Sequence, residues 1–311
     1  MENSEKTVEK VIILGSGPAG LSAAIYAARA ELHPLLFTGT DVGGQAATTS
    51  VIENYPGFPE GVGGNQLADL FTKNAEKFGA RFEYDMVTAV DLSRRPFKLT
   101  TYGKEYFTQS LIITTGASPN KLNIAGEKEL TGRGVSYCAT CDGWFFKDKK
   151  VAVVGGGDSA LEEGIFLTRY ASSVTIIHRR NELRAGVLLQ KRAKENPKIS
   201  FILDTVVEAI EGKDAVSGLE LKNIKNGESN TLAVDGVFIF VGHSPNTDLF
   251  RGVLDLDEKG YIRIDERMRT NIAGVFAAGE VADSRYRQVV TSAGMGAAAA
   301  IEVTRFLESG E

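Results

Sequence analysis

The stretch Val11-Ile12-Ile13-Leu14-Gly15-Ser16-Gly17-Pro18-Ala19-Gly20 decides the fold. Four branched aliphatic residues are too few for a helix and read as a buried strand, the glycines end it in a tight turn, and the small-residue run from Leu21 to Ala30 reads as a helix behind it. A GxGxxG pattern alone says little. Between a strand and a helix it marks a dinucleotide-binding turn, because glycine lets the backbone approach a pyrophosphate whose charge is met by free N–H groups and the helix dipole. A glycine-rich turn without a ligand is the alternative. The acidic residue expected about 20 positions later to hold a ribose hydroxyl is missing, since the next strand, Leu35-Leu36-Phe37, runs into Thr38-Gly39-Thr40. That absence weakens an NAD assignment for this half.

The pattern returns about 140 residues further on. Val151-Ala152-Val153-Val154 leads into Gly155-Gly156-Gly157-Asp158-Ser159-Ala160, with a helix-like Leu161 to Tyr170 behind it. Likewise the strand Leu111-Ile112-Ile113 ends in Thr114-Thr115-Gly116-Ala117-Ser118-Pro119, and Val237 to Val241 ends in Gly242-His243-Ser244-Pro245. Two related dinucleotide-binding domains account for both echoes. At 311 residues the chain also exceeds the roughly 250 to 300 at which a single core stops growing. In the second copy the strand Val174-Thr175-Ile176-Ile177 ends in His178-Arg179-Arg180, with Arg184 behind. Arginines there favour the 2′-phosphate of NADP, where an acid would favour NAD; a solvated basic turn is the plainer alternative.

Between the copies, Gly43-Gly44-Gln45 and Asn54-Tyr55-Pro56-Gly57 read as loops, Gln66 to Phe78 as an amphipathic helix, and Phe82 to Leu99 as a small antiparallel layer. Val275 to Asp283 reads as a strand running into a turn with two carboxylates. Tyr286-Arg287-Gln288 then precedes a small-residue helix from Ala293 to Phe306, and this segment returns to the first domain.

The two cysteines of the chain fall in one motif, Cys138-Ala139-Thr140-Cys141-Asp142. A two-residue spacer puts both sulfurs within reach of one disulfide, and in such motifs the thiol pKa falls from about 8.5 toward about 7, raising the reactive thiolate fraction. Asp142 stands where it could move the proton each exchange step releases or consumes. The alternatives are a passive disulfide and a zinc site completed by His178 and His243, both of which lie in segments that the strand-and-turn pattern already accounts for. With 35 basic and 40 acidic residues and a net charge of -5, the chain offers no broad basic surface to nucleic acid or anionic lipid. The polar start Met1-Glu2-Asn3-Ser4-Glu5-Lys6 lacks the apolar core of a secretory signal, and no apolar run approaches the roughly 18 residues of a membrane span. A cytoplasmic protein is expected, with no membrane and no metal.

Along essentially its whole length the chain resembles the small flavoprotein thioredoxin reductases, through GSGPAG at 15–20, GGQ at 43–45, CATCD at 138–142, GGGDSA at 155–160, HRRxxxR at 178–184, GHSPN at 242–246 and YRQ at 286–288. The resemblance implies an α/β fold of two Rossmann-like domains of the FAD/NAD(P) disulfide-reductase type, the second inserted in the first. An FAD domain would span 1–117 and 247–311, and an NADPH domain carrying the dithiol 118–246. FAD would lie against Gly15, Gly17, Pro18, Ala19, Gly20, Gly44, Gln45, Asn54, Thr115, Gly116, Gly279, Glu280, Arg287, Gln288 and Val289, and NADPH against Gly156, Gly157, Asp158, Ser159, His178, Arg179, Arg180, Arg184 and His243. Cys141 would be the sulfur nearest the flavin, Cys138 the one that attacks the substrate disulfide, and Asp142 the acid and base. Glu280 and Val289 depart from the aspartate and alanine usual in the family.

The implied reaction runs from NADPH through FAD to the Cys138–Cys141 disulfide and on to thioredoxin or a thioredoxin-like protein, in a homodimer, with a rotation about two strands near residues 118 and 246. The nearest rival is the flavoprotein component of a peroxide-reducing system, which delivers electrons through an extra N-terminal dithiol domain; this chain starts directly at the FAD strand, so that rival would need a separate carrier. A flavin-binding redox sensor without turnover is the rival from another class.

Overall fold

The computed structural model describes residues 7–40, 42–49 and 51–310, apart from the side chains of Thr140 and Cys141. Val11, Ile12 and Ile13 on β1 (Val8–Leu14) are fully buried. A strand covered on both faces has no solvent side to alternate toward, which is why it reads as a continuous apolar run. It feeds α1 (Pro18–Arg29), where Pro18 occupies the first turn and its missing N–H leaves nothing unpaired. Then come β2 (Leu35–Phe37), α2 (Gly44–Ala47), α3 (Gly64–Lys77), β3 (Arg81–Glu83), β4 (Ala89–Asp91), β5 (Phe97–Thr100) and β6 (Glu105–Ile113). The middle of the chain forms β7 (Ala117–Pro119), β8 (Val135–Ser136), α4 (Ala139–Asp142), β9 (Lys150–Val154), α5 (Asp158–Leu167), β10 (Ser173–Ile177), α6 (Val187–Glu195) and β11 (Ile199–Ile202). It continues with β12 (Thr205–Gly212), β13 (Val216–Asn223), β14 (Ser229–Leu232), β15 (Gly236–Ile239) and β16 (His243–Pro245), and the chain closes with β17 (Val275–Ala277) and α7 (Val289–Ser309).

Packing divides these elements into two units, one formed by 1–118 with 244–311 and the other by 119–243. In the first unit the sheet runs β3-β2-β1-β6-β5-β4, with β17 also on β6. β3, β2, β1, β6 and β17 are parallel, whereas β4 and β5 are antiparallel. The stretch from Phe82 to Leu99, expected to form a small antiparallel layer, is therefore divided. Arg81–Glu83 becomes the parallel edge beside β2, and β4 and β5 extend the main sheet. The reason is the length of β6, whose outer edge takes β5 along 105–108 and β17 along 111–113. The segment at Gly43-Gly44-Gln45, expected as a loop, closes a single helical turn from Gly44, entered with both glycines at positive φ.

Residues alternate between the two faces of this sheet. Val11, Ile13 and Ile112 pack beneath the alanines of α1 and α7, and Ile12, Leu14 and Ile113 pack with Phe37, Leu99 and Phe250 on the other side. α1 and α7 approach so closely that a Cβ on Gly296 would sit 1.9 Å from the Ala19 carbonyl oxygen. The alanines of both helices are what let that approach happen.

The second unit repeats the plan with a five-stranded parallel sheet, β11-β10-β9-β15-β8. α5 covers one face through Ala160, Leu161 and Leu167, and the antiparallel β12-β13-β14 covers the other through Leu219 and Leu221. Among the described residues no helix is long and apolar enough to cross a membrane.

Candidate functional site

In the first unit the named residues gather where the parallel strands end, the usual ligand crevice of such sheets. Gly15 at the end of β1 has φ +107° and donates its N–H to Phe37 O at 2.8 Å. A Cβ there would lie 2.4 Å from Thr114 O, and one on Gly20 would lie 1.8 Å from Gly15 O, so both glycines are demanded by the protein itself. Gly17 is different. It caps α1 with ordinary extended backbone, φ -69° and ψ 180°, and a Cβ there would meet no protein atom within 4 Å. Neither a positive φ nor a neighbouring protein atom requires glycine at 17, so the space beside the α1 N-terminus is open.

Ser16, a position the glycine pattern leaves open, ties this turn to its neighbours: its Oγ donates to Thr38 O at 3.0 Å and accepts the Gly43 N–H at 3.3 Å. Gly44 follows so closely that a Cβ on it would stand 3.2 Å from Gly17 Cα, while the Gln45 side chain is exposed. At the end of β6, Thr115 and Asn246 exchange hydrogen bonds of 2.8 and 2.9 Å, and the Gly116 carbonyl accepts the Asn246 N–H at 3.0 Å.

The turn after β17 carries the two expected carboxylates, and they do different work. Asp283 is consumed by the backbone, accepting the N–H groups of Arg285, Tyr286 and Arg287 at 2.8, 2.9 and 3.0 Å. This holds Arg287 at φ +51° with its guanidinium donating to the Tyr261 hydroxyl at 3.0 Å. Among the described residues the Glu280 carboxylate forms no hydrogen bond or ion pair; burial pushes its pKa up, with Arg287 opposing and Asp283 adding to the rise. Gln288 caps α7 in a capping box with Thr291, and its Oε1 accepts a hydrogen bond from Asn54 at 3.0 Å across 234 residues of sequence. Val289 is the first residue of α7, and Gly279, like Gly15, has positive φ.

The second unit repeats the arrangement at the ends of β9 and β10. Gly157 caps α5 in extended backbone, φ -94° and ψ -177°, and again a Cβ would meet nothing within 4 Å. Gly156 is glycine for a packing reason, since a Cβ would lie 2.4 Å from His178 Nδ1. The Gly156 carbonyl accepts the backbone N–H groups of Arg184 and Ala185 at 2.6 and 3.1 Å, which folds the basic segment back onto the glycine turn. Asp158 Oδ1 fixes the next turn through Gly186 N at 2.7 Å, and Ser159 beside it is exposed.

His178 is 5% exposed with no partner for Nε2, and burial, then Arg184, pushes its pKa down, against a backbone hydrogen bond with Glu182 and with Arg179 and Arg180 adding to the fall. It is therefore a neutral polar group at the base of the cradle. Arg179, Arg180 and Arg184 are all exposed, and none forms an ion pair among the described residues. His243, on β16, is half-buried.

The dithiol motif lies in the same unit as α4, between the edge strand β8 and a 3-10 turn, Gly143–Phe146. Cys138 is disulfide-bonded. The side chain of Cys141, expected as the sulfur nearest the flavin, lies outside the described residues. The hydroxyl of Ser136, 4% exposed, stands 2.6 Å from Asp142 Oδ2, 3.1 Å from Cys138 O and 3.0 Å from Cys138 N. Beside it the Tyr137 hydroxyl donates at 2.7 Å to the buried Glu127, whose carboxylate also accepts the Leu122 N–H. No motif marks Ser136, Glu127 or Tyr261. The only trace of Ser136 in the sequence is its place two residues before the first cysteine.

Two strand-glycine-helix cradles, one with a carboxylate turn and the other with an arginine turn and a disulfide, define a nucleotide-linked disulfide oxidoreductase. The chain belongs to the pyridine nucleotide-disulphide oxidoreductase family, whose family model matches residues 9–296. Its relatives place it among the thioredoxin reductases. That of Streptomyces coelicolor is 50% identical over 303 residues, covering 96% of this chain and 94% of that protein. That of Rickettsia prowazekii is 50% identical over 307 residues, covering 97% and 99%. The crystal structure of Lactococcus lactis thioredoxin reductase superposes with a TM-score of 0.94 at 44% identity, over 97% of this chain and 99% of that one.

Proposed function

We propose that this chain reduces the disulfide of thioredoxin with NADPH, by way of FAD and a Cys138–Cys141 redox disulfide. The observation that supports it most is the matched pair Gly17 and Gly157, each capping a helix with ordinary backbone and no protein atom where a side chain would point. One chain thus keeps the backbone at two helix N-termini open to approach, and a dithiol sits in the unit of the second.

The residues fit the two cofactors. FAD suits the first unit, with Gly15, Gly17, Pro18, Ala19 and Gly20 at the pyrophosphate, Gly44, Gln45, Asn54, Thr115, Gly116 and Gly279 lining its approach, and Glu280 accepting from ribitol hydroxyls; the resemblance implies an FAD domain without a ribose acid, and Thr38 stands at the end of β2. Arg287, Gln288 and Val289 would hold the ring side. NADPH suits the second, with Gly156, Gly157, Asp158 and Ser159 at the pyrophosphate and His178 and His243 beside it. Arg179, Arg180 and Arg184 would meet the 2′-phosphate, whose charge no neutral residue could pair so well. Bound together, the two cofactors supply the hydride and the electron pair that open the disulfide.

From there the chemistry belongs to the chain. The Cys138 thiolate attacks a thioredoxin sulfur, an S–S bond forms to Cys138, and the other thioredoxin sulfur leaves as a thiolate that takes a proton. Cys141, deprotonated in turn, attacks Cys138 Sγ, which restores the internal disulfide and releases the second thioredoxin thiolate, and that thiolate takes the proton Cys141 gave up. Two electrons and two protons pass to thioredoxin. Asp142 supplies and receives the protons. The reading extends to the cytoplasm, where the disulfides that occur are usually catalytic or redox-sensing, and to the homodimer that the resemblance implies. The direct test is NADPH oxidation coupled to oxidised thioredoxin, with NADH as the comparison. Turnover with NADPH is expected; none with any disulfide acceptor would overturn the reading.

A further inference from the structure

We infer that Ser136 is the positioning residue for Asp142, built to hold that carboxyl group in both of its protonation states; this rests on the acid and base role given to Asp142 above. The Ser136 Oγ carries one proton and faces two acceptors, Asp142 Oδ2 at 2.6 Å and Cys138 O at 3.1 Å. A hydroxyl can donate to only one of them at a time, and a charged carboxylate at the shorter distance takes the proton. When Asp142 is protonated, its own O–H donates to Ser136 Oγ and the serine proton turns to Cys138 O. In both states the Oγ accepts the Cys138 N–H at 3.0 Å. Every heavy atom keeps its place while the protons reorient.

An acid and base that changes state twice per turnover needs such a partner. A fixed donor such as an amide N–H would oppose the protonated form, and a fixed acceptor would oppose the charged one. The fold fixes Ser136 where this partner must stand, since it lies on β8, paired with Phe238 of β15, and is almost fully buried. The Asp142 N–H also donates to Cys138 O at 3.2 Å, so the carbonyl that receives the turned serine proton is itself fixed by α4. Ser136 passes no net proton.

Other titratable groups share the neighbourhood. α5, packed against α4, carries Asp158, Glu162 and Glu163, and burial followed by Glu162 pushes the Glu163 pKa up to about 7. Beside β8 stands Tyr137, engaged by Glu127, and Lys147 and Asp148 follow the 3-10 turn. These groups are common to wild type and variant, so the difference between two pH profiles isolates the serine.

The test compares wild type, Ser136→Ala and Ser136→Thr in the flavin-loaded enzyme from pH 5.5 to 9, reading kcat/KM for thioredoxin and, separately, the rate of flavin reduction by NADPH. Ser136→Ala is expected to lower kcat/KM by about tenfold, the weight of one charge-assisted hydrogen bond. Its acid-side limb should move to higher pH, because the charge-assisted bond lost from the carboxylate is worth more than the neutral bond lost from the protonated acid. Ser136→Thr, which keeps a hydroxyl, should restore both, and flavin reduction should be unchanged in all three. Ser136→Ala in an Asp142→Asn background should have no further effect on the profile. Should the alanine variant not fold, Ser136→Val, which has the shape of the threonine variant without its hydroxyl, carries the same expectation. Superimposable profiles, or a loss equal at every pH that threonine does not recover, would overturn the role of Ser136. A wild type inactive with thioredoxin would instead overturn the proposed function, so the two failures are distinguishable.

Discussion

Gly157→Ala separates a glycine kept for a ligand from a glycine kept for the fold. At φ -94° and ψ -177° alanine is unstrained, and its Cβ would meet no protein atom within 4 Å. Two small effects on stability then oppose each other. Restricting the unfolded chain stabilises by about 0.4 to 1 kcal/mol, and replacing glycine by alanine at a helix N-cap costs about 0.5 to 1 kcal/mol. Neither wins, so the unfolding free energy should stay within about 1 kcal/mol of wild type. The methyl group nevertheless enters the space at the α5 N-terminus where a pyrophosphate would have to approach. Overpacking costs about 1 to 3 kcal/mol, which is roughly a five- to 150-fold rise in the NADPH dissociation constant. Thermal unfolding of the cofactor-free protein together with calorimetric titration of NADPH measures both quantities. Unchanged NADPH affinity would refute the reasoning, and so would a weakening matched by a large loss of stability, because the glycine would then be serving the fold.

Other consequences follow from the same geometry. Gly296→Ala, whose Cβ would stand 1.9 Å from the backbone oxygen of Ala19, should destabilise by about 3 kcal/mol or more, read as a fall in Tm; a neutral result would mean that α1 and α7 separate easily. Replacing Arg179 and Arg180 by Ala should raise the Michaelis constant for NADPH far more than that for NADH, and equal changes would remove the phosphate-binding assignment. Cys138→Ser should abolish thioredoxin reduction while NADPH still reduces the flavin, and retained thioredoxin activity would contradict the role of that sulfur.

Glu163 gives a pH test, since its Oε2 is buried without a partner and its pKa is pushed up to about 7 by burial and then by Glu162. A carboxyl group raised in the fold binds protons that the unfolded chain has released, so its contribution is fully present below about pH 4.5 and is lost as pH rises to about 7. At about 1.4 kcal/mol per tenfold, the cost above pH 7 is about 3 kcal/mol. Glu163→Gln should recover much of it at pH 8 and little at pH 4.5; an equal gain at both would show that the charge is not the cause.

Much of this protein is legible in its sequence. Val11 to Leu14 and Val151 to Val154 announce buried strands by their unbroken apolar runs, and the glycine turns behind them fix where each chain reversal occurs, because steric limits on φ act within a few residues. The pairing of the two cysteines on one motif, and the basic residues where an acid would stand, are equally local. What sequence could not decide was which glycine serves which purpose. Gly15, Gly17 and Gly20 look alike in the string, yet two are pressed against backbone oxygens and one faces open space.

Nor could it divide the labour of Glu280 and Asp283, assign β4 and β5 to the main sheet, or bring Asn54 to Gln288. Each of those depends on how separate elements pack, and contact distances between groups far apart in sequence are set only when a core closes. Even Ser136 and Asp142, six residues apart, meet because β8 is pinned in a sheet and α4 turns back over its end. Short-range sterics wrote the motifs, and packing chose their partners.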